Sequence, residues 1–168
     1  IYYQYTNHRN WGVLNLSNGK IKNLFSEASN GWRFDPYVSP DKKYLCIKGN
    51  FSDLDTKKNG LFVMSRNNDK LDENNILYYL KNYHPLCWSY DNKWLYATGV
   101  KRSSKTNKDY IEICRISRTD WKIDKIIDTI EDAYPVGISK DENFIIYDII
   151  ETKQSDIWLI QNFDSEFN

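Results

Sequence analysis

Two histidines, one methionine, three cysteines, four prolines and seven glycines are all that 168 residues contain of these types, and each scarcity closes off a kind of chemistry. With only His8 and His84 there is too little imidazole for a multi-histidine metal centre. The thiols Cys46, Cys87 and Cys114 are odd in number, far apart and set in apolar runs (YLCIK, PLCWS, IEICRI), whereas a disulfide framework or zinc site needs paired, closely spaced cysteines. They read as buried free thiols. Charge of one sign is missing too: Lys plus Arg and Asp plus Glu both total 23, so no global field draws the chain to nucleic acid or to an anionic membrane surface. No apolar run approaches the roughly 18–20 residues that span a bilayer, and the N-terminus lacks the basic-then-apolar order of a signal peptide. The chain starts at Ile1 and not at Met, which is compatible with a removed leader, and its compartment is not written in the sequence.

What is present in excess is aromatic. Thirteen Tyr, six Trp and seven Phe bring the aromatic fraction to 15%, and with many Ile beside them they favour strands, because flat and β-branched side chains suit a pleated, packed surface. An all-β chain of one domain is the expectation.

A repeat makes this specific. Tyr37-Val38-Ser39-Pro40-Asp41-Lys42-Lys43-Tyr44-Leu45, Cys87-Trp88-Ser89-Tyr90-Asp91-Asn92-Lys93-Trp94-Leu95 and Gly137-Ile138-Ser139-Lys140-Asp141-Glu142-Asn143-Phe144-Ile145 align without gaps at a spacing of fifty residues. Each is preceded by a proline, Pro36, Pro85 or Pro135. Leu61 and Ile111 open apolar runs (LFVM, IEIC), and Ile76 and Ile126 open another pair (ILYYL, IIDTI), again fifty apart. The unit therefore holds four strands. A ends at the Ser, B follows the Asp turn, C is the LFVM-type run and D is the last apolar stretch. Four antiparallel strands per repeat make a propeller blade. The near-continuous apolar character of B fits an inner strand covered on both faces. The Ser-x-Asp element reads as a structural turn in which short polar side chains bond the backbone.

Run backwards, the unit makes Ile1–Tyr5, Trp11–Leu16 and Lys20–Phe25 strands B, C and D of a leading blade, with Ser17-Asn18-Gly19-Lys20 as a two-residue type I′ hairpin between C and D. At the far end Tyr134–Ser139, Phe144–Ile150 and Asp156–Gln161 supply A, B and C. The expected organisation is one propeller segment, residues 1–168, with blades at about 1–31, 32–82, 83–133 and 134–168, two complete and two partial. Open blade faces expose apolar surface, so the remaining blades of a larger ring, or a self-associated copy, are expected partners.

The motif Ser39-Pro40-Asp41-Lys42-Lys43-Tyr44 followed by Gly60-Leu61-Phe62-Val63-Met64, with Trp88-Ser89-Tyr90-Asp91 at the same place one unit on, resembles the WD-type repeats of TolB-like β-propellers. The ending Ser155-Asp156-Ile157-Trp158-Leu159-Ile160 is similar to the C-terminal blades of such propellers. Lys42, Asn92 and Glu142 stand where that family's repeat carries glycine. The resemblance implies the fold across nearly the whole chain and leaves function open among interaction, sensor and gating roles.

In a propeller the D–A and B–C connections share one face, so Trp32, Arg33, Asp35, Tyr83, His84 and Tyr134 are expected at the mouth of the central channel. Aromatics and arginine there suit a glycan or a protein ligand. They equally suit the sealing of one blade against the next. The B–C hairpins differ: Asn50–Lys58 is mixed, Lys101–Lys108 basic and Glu151–Ser155 short. Asp53 and Asp55 lack the glycine and distal glutamate of a calcium loop, and Gly137-Ile138-Ser139 lacks the second glycine of a nucleophile elbow. The reading is a non-catalytic binding module that calls for no cofactor. The alternative is the propeller portion of a polysaccharide lyase, using His8 and His84, or of a prolyl-oligopeptidase-type serine peptidase.

Overall fold

The computed structural model describes residues 2–4, 11–23, 36–51, 58–66, 76–128, 133–151 and 154–161. Among them every regular element is a strand, and no helix is long and apolar enough to cross a membrane. The chain divides into two units, Ile1–Asn82 and Tyr83–Asn168.

The first unit holds two antiparallel sheets. One is β1 (Tyr2–Gln4), β2 (Trp11–Leu14) and β3 (Ile21–Asn23), in that spatial order. The other runs β4 (Tyr37–Val38), β5 (Tyr44–Phe51), β6 (Lys58–Ser65) and β7 (Ile76–Lys81). The second unit holds β8 (Tyr83–Trp88), β9 (Trp94–Arg102), β10 (Asp109–Ser117) and β11 (Ile123–Asp128), then a sheet of β12 (Ala133–Ile138), β13 (Phe144–Glu151) and β14 (Gln154–Gln161). Within each sheet strands adjacent in sequence are adjacent in space, the meander order of a blade. The elements called A to D are thus β4–β7 in one complete sheet and β8–β11 in the other.

The Ser-x-Asp turn has one geometry three times over. The Ser amide bonds the carbonyl of the first B residue (Ser39 to Tyr44 at 3.0 Å, Ser89 to Trp94 and Ser139 to Phe144 at 2.9 Å). That residue's amide returns a bond to the Ser Oγ at 2.9, 2.8 and 3.0 Å, and the hydroxyl donates to the Asp carboxylate at 2.7, 2.8 and 2.5 Å. The glycine position is filled by Lys42, Asn92 and Glu142 at φ 62°, 64° and 60°, so the left-handed conformation is kept without the residue that adopts it most easily.

Fifty-residue equivalence holds across A, B and their turn, but not in C and D. Leu61 pairs with Lys48, and the partner of Thr98, fifty residues past Lys48, is Ile113, not Ile111. In strand D, Ile76 opposes Met64 while Ile123, not Ile126, opposes Ile116. Relative to the first complete sheet, the second is two residues longer between B and C, five shorter between C and D, and three longer between D and A. The differences cancel, so a broken repeat reads as an unbroken one. The structural counterparts Arg66 and Arg118, at the ends of their C strands, confirm the shifted register: each donates to the carbonyl of the left-handed turn residue, Lys42 at 3.1 Å and Asn92 at 3.4 Å.

The hairpin at Ser17–Lys20 also departs from expectation. Its closing bonds run from the Asn15 amide to the Lys20 carbonyl (2.9 Å) and from the Gly19 amide to the Asn15 carbonyl (2.8 Å), enclosing a four-residue loop. Only Gly19 has positive φ, 67°, whereas a type I′ turn needs two such residues. Asn15 Oδ1 accepts from the Ser17 amide (2.9 Å) and hydroxyl (2.6 Å), which winds the chain early and leaves a single left-handed residue to close it. The loops closed by Asn107 and Trp121, at φ 56° each, repeat this form. The ends of the expected strands Ile1–Tyr5 and Lys20–Phe25 lie partly outside the described residues. The last C strand begins at Gln154, two residues before Asp156.

In the first unit Leu45, Ile47, Phe62 and Met64 form one core, flanked by Val38, Ile76 and Tyr79. In the second, Leu86, Tyr96, Ile113 and Ile126 of one sheet pack with Ala133, Ile145 and Tyr147 of the next, and strands β8 and β12 lie side by side. This joint has polar clasps at the end bearing the Ser-x-Asp turns. The Tyr96 hydroxyl donates to Glu142 at 2.6 Å, and the Lys140 ammonium lies 4.1 Å from the Tyr90 ring centre. Cys46 and Cys114 are buried, Cys87 is half-buried, and all three are free thiols.

Candidate functional site

The opposite end of the second unit carries the B–C and D–A connections, because antiparallel pairing sends them to the same side. There Tyr83, Gly99, Glu112 and Asp128 stand side by side across all four strands of the β8–β11 sheet. The middle of this row is a polar network. Tyr83 is buried, its ring packs over Gly99, and its hydroxyl donates to the Glu112 carboxylate. A Cβ at Gly99 would sit 2.8 Å from ring atoms of Tyr83, so only glycine lets the ring cross to its acceptor. The Lys101 ammonium stands 3.7 Å from the same carboxylate and 5.1 Å from the centre of the Tyr83 ring. Burial, then the hydrogen bond to Glu112 and its charge, push the Tyr83 hydroxyl well above its ordinary range, so it stays a donor.

These groups satisfy one another. The carboxylate takes one hydrogen bond and has an ammonium beside it, the ring takes a cation on its face, and no group in the network is placed as an activated nucleophile. The arrangement holds one end of the sheet rigid and presents the Lys101 ammonium, which remains part exposed, toward solvent.

Of the residues expected at a channel mouth, Tyr83 and His84 lie within β8 and not in a connection, the first buried and the second half-buried opposite Thr98. Tyr134, fifty residues past His84, lies in β12 opposite Asp148 and is 53% exposed. Trp32, Arg33 and Asp35 lie outside the described residues, as does His8. Gly99 and Glu112 join the candidate site without having been singled out in the sequence, and Lys101 was marked there only as the first residue of the basic B–C hairpin. The signal for them was Gly99 itself, a glycine inside an apolar strand, repeated fifty residues earlier as Gly49. Among the described residues no group of three or more His, Cys, Asp and Glu is placed to hold a metal ion.

Meandering antiparallel sheets whose first two strands are joined by a recurring Ser-x-Asp turn, with innermost strands β8 and β12 side by side where two of them meet, define blades of a β-propeller. Solved structures place these blades within a narrower type. A structure assigned as TolB from Agrobacterium tumefaciens matches 95% of the chain at a TM-score of 0.63 and 14% identity, the match covering 54% of its own length. TolB from Acinetobacter baumannii matches 97% of the chain at 0.65 and 15% identity, over 37% of its length, and Kuenenia stuttgartiensis hydrazine synthase matches 96% at 0.63 and 10%, over 49%. The chain has the TolB-like propeller fold, and it spans about half or less of these structures. No family model matches the sequence, and no curated protein matches it.

Proposed function

We propose that the chain is a non-catalytic binding module, part of a larger propeller, that takes a protein or glycan ligand at the end bearing Tyr83, His84 and Tyr134. The observation that carries this reading is a contrast between repeats. Leu86 and Val136 are fifty residues apart, each the extra residue of a bulge in an A strand. Leu86 is 8% exposed, packed in the joint with the next sheet, while Val136 is 57% exposed and Tyr134 beside it is open as well. By the logic of the repeat, Val136 awaits a further sheet, and Tyr134 stands at the rim where ligand and neighbour would meet.

Light scattering on the 168-residue chain tests the first half. The expected result is self-association that Val136→Asp reduces; a monodisperse, cooperatively unfolding monomer in both forms would mean that the described blades need no others. A glycan array probed with the chain and with Tyr134→Ala tests the second half. Signals lost in the variant support the rim as the ligand site, and signals equal in both forms remove Tyr134 from it.

A further inference from the structure

We infer that the B–C hairpin from Lys101 to Lys108 is a docking element for an acidic segment of a partner protein. The inference rests on the binding-module reading and names the partner of that end of the sheet.

Charge is the first ground. Lys101, Arg102, Lys105 and Lys108 fall within eight consecutive residues that contain no acid, in a chain whose positive and negative side chains are equal in number. Glu112 beside Lys101 and Asp109 opposite Arg102 offset part of this charge at the root, so the local excess lies toward the hairpin tip, at Lys105 and Lys108. Such a tip attracts acidic partners by steering and orients them on arrival.

Preorganisation is the second. Strands β9 and β10 pair without interruption out to Arg102 opposite Asp109. The loop beyond is closed by the Ser103 amide on the Lys108 carbonyl (2.8 Å) and by the Asn107 amide on the Ser103 carbonyl (2.9 Å). Ser103 Oγ accepts from the Lys105 and Thr106 amides at 3.3 and 3.2 Å, and Arg102 Nε donates to Asn107 Oδ1 at 2.9 Å. Lys101 is anchored at the root by Glu112 and the Tyr83 ring. The cations stand on a braced frame, so a partner loses less of its binding energy to ordering them.

The third ground selects the partner. Val100 is 55% exposed and immediately precedes the basic run. A cationic tip with an aliphatic side chain at its foot matches a polypeptide offering carboxylates and an apolar residue. An acidic polysaccharide or a nucleic acid brings charge without that apolar group. A duplex would also ask for cations along an extended surface and not on one turn.

The test uses fluorescence anisotropy with a fluorescein-labelled ten-residue peptide of Glu and Asp carrying one central Leu, and with the same peptide carrying Ser there. Polygalacturonate and a single-stranded oligodeoxynucleotide serve as competitors. The expected result is saturable binding of the Leu peptide, weakened about tenfold by a fourfold rise in salt and again about tenfold by Lys105→Glu with Lys108→Glu, at unchanged Tm. Val100→Ser should abolish the preference for Leu over Ser. Binding untouched by the double charge reversal would overturn the inference, as would competition by polygalacturonate or oligonucleotide as strong as by unlabelled peptide, or no binding at all. If peptide binding fails while array signals still depend on Tyr134, the binding-module reading stands without this partner. If both fail, that reading falls as well.

Discussion

Tyr147 is a buried side chain whose hydroxyl has no hydrogen-bond partner among the described residues. It occupies the place held by Ile47 and Ala97 in the preceding repeats, and it faces Pro135, which has no amide to offer, across the strand pair. Burial alone pushes its hydroxyl up to about 12. Removing a buried, unpaired polar atom while keeping the ring should help, so Tyr147→Phe is expected to raise stability by about 1 kcal/mol, read from the urea midpoint. A loss of that size would reveal a partner for the hydroxyl. Gly99 is the opposite case. Gly99→Ala should cost about 2–3 kcal/mol, because the new methyl displaces the Tyr83 ring and with it the donor to Glu112. In a Tyr83→Ala background most of that cost should vanish, and a double-mutant cycle that came out additive would show that the clash lies elsewhere.

At the scale of the element, the Ser-x-Asp turn explains why so short a motif recurs. Its serine satisfies an amide and a carboxylate at once, in a place where Ser39 and Ser89 are buried and Ser139 is partly open. Ser89→Ala should therefore cost about 1–2 kcal/mol and Ser139→Ala clearly less, as measured by denaturant unfolding; equal costs would mean that burial does not set the price. The residue after the Asp carries strain at φ near 60°, and Lys42→Gly is expected to stabilise by about 0.5–1 kcal/mol, visible as a raised Tm. The turn and the B strand were legible from the sequence because their chemistry is local: Ser, Asp and an aromatic within six positions make one shape wherever they occur. Strands C and D were misaligned because hairpin lengths are not local. The B–C extension and the C–D contraction are chosen by each sheet separately, and nothing in the letters ILYYL and IIDTI records that Ile76 matches Ile123. Among the candidate site residues, Tyr83 was visible as an aromatic near a connection. Its engagement with Glu112 was not, since 29 residues separate them and only strand pairing brings them together.

For the molecule as a whole, these groups set a window of stability with pH. The carboxylate of Asp141 is held below its ordinary value of 3.8 by the Ser139 hydroxyl first and then by Asn143. Asp91 is held down because the Lys93 amide and ammonium and the Ser89 hydroxyl outweigh its partial burial. A group whose folded pKa is depressed favours the fold above its unfolded value and loses that contribution as pH falls through the folded one, so both act on the acid side, below about pH 4. On the alkaline side, burial raises Cys87 and Cys114 from 9.0 to about 12 and Tyr147 from 10.0 to about 12. Their contribution is complete below about pH 9 and is lost as pH climbs toward 12. Urea midpoints measured across pH should form a plateau between these limits. Replacing Cys114 with Ala should soften the alkaline fall, and an unchanged fall would assign it to other groups.

The amino-acid order by itself determined the strand-rich class, the four-strand unit and the turn that joins A to B, because each follows from side chains close in sequence acting on their own backbone. The tertiary structure alone decided the true register of C and D, the burial of Leu86 against the exposure of Val136, and the assembly of Tyr83, Gly99, Lys101 and Glu112 into one network. Those depend on which strands lie side by side and which faces are covered, and contacts between distant segments are set by packing, which no single stretch of the chain encodes.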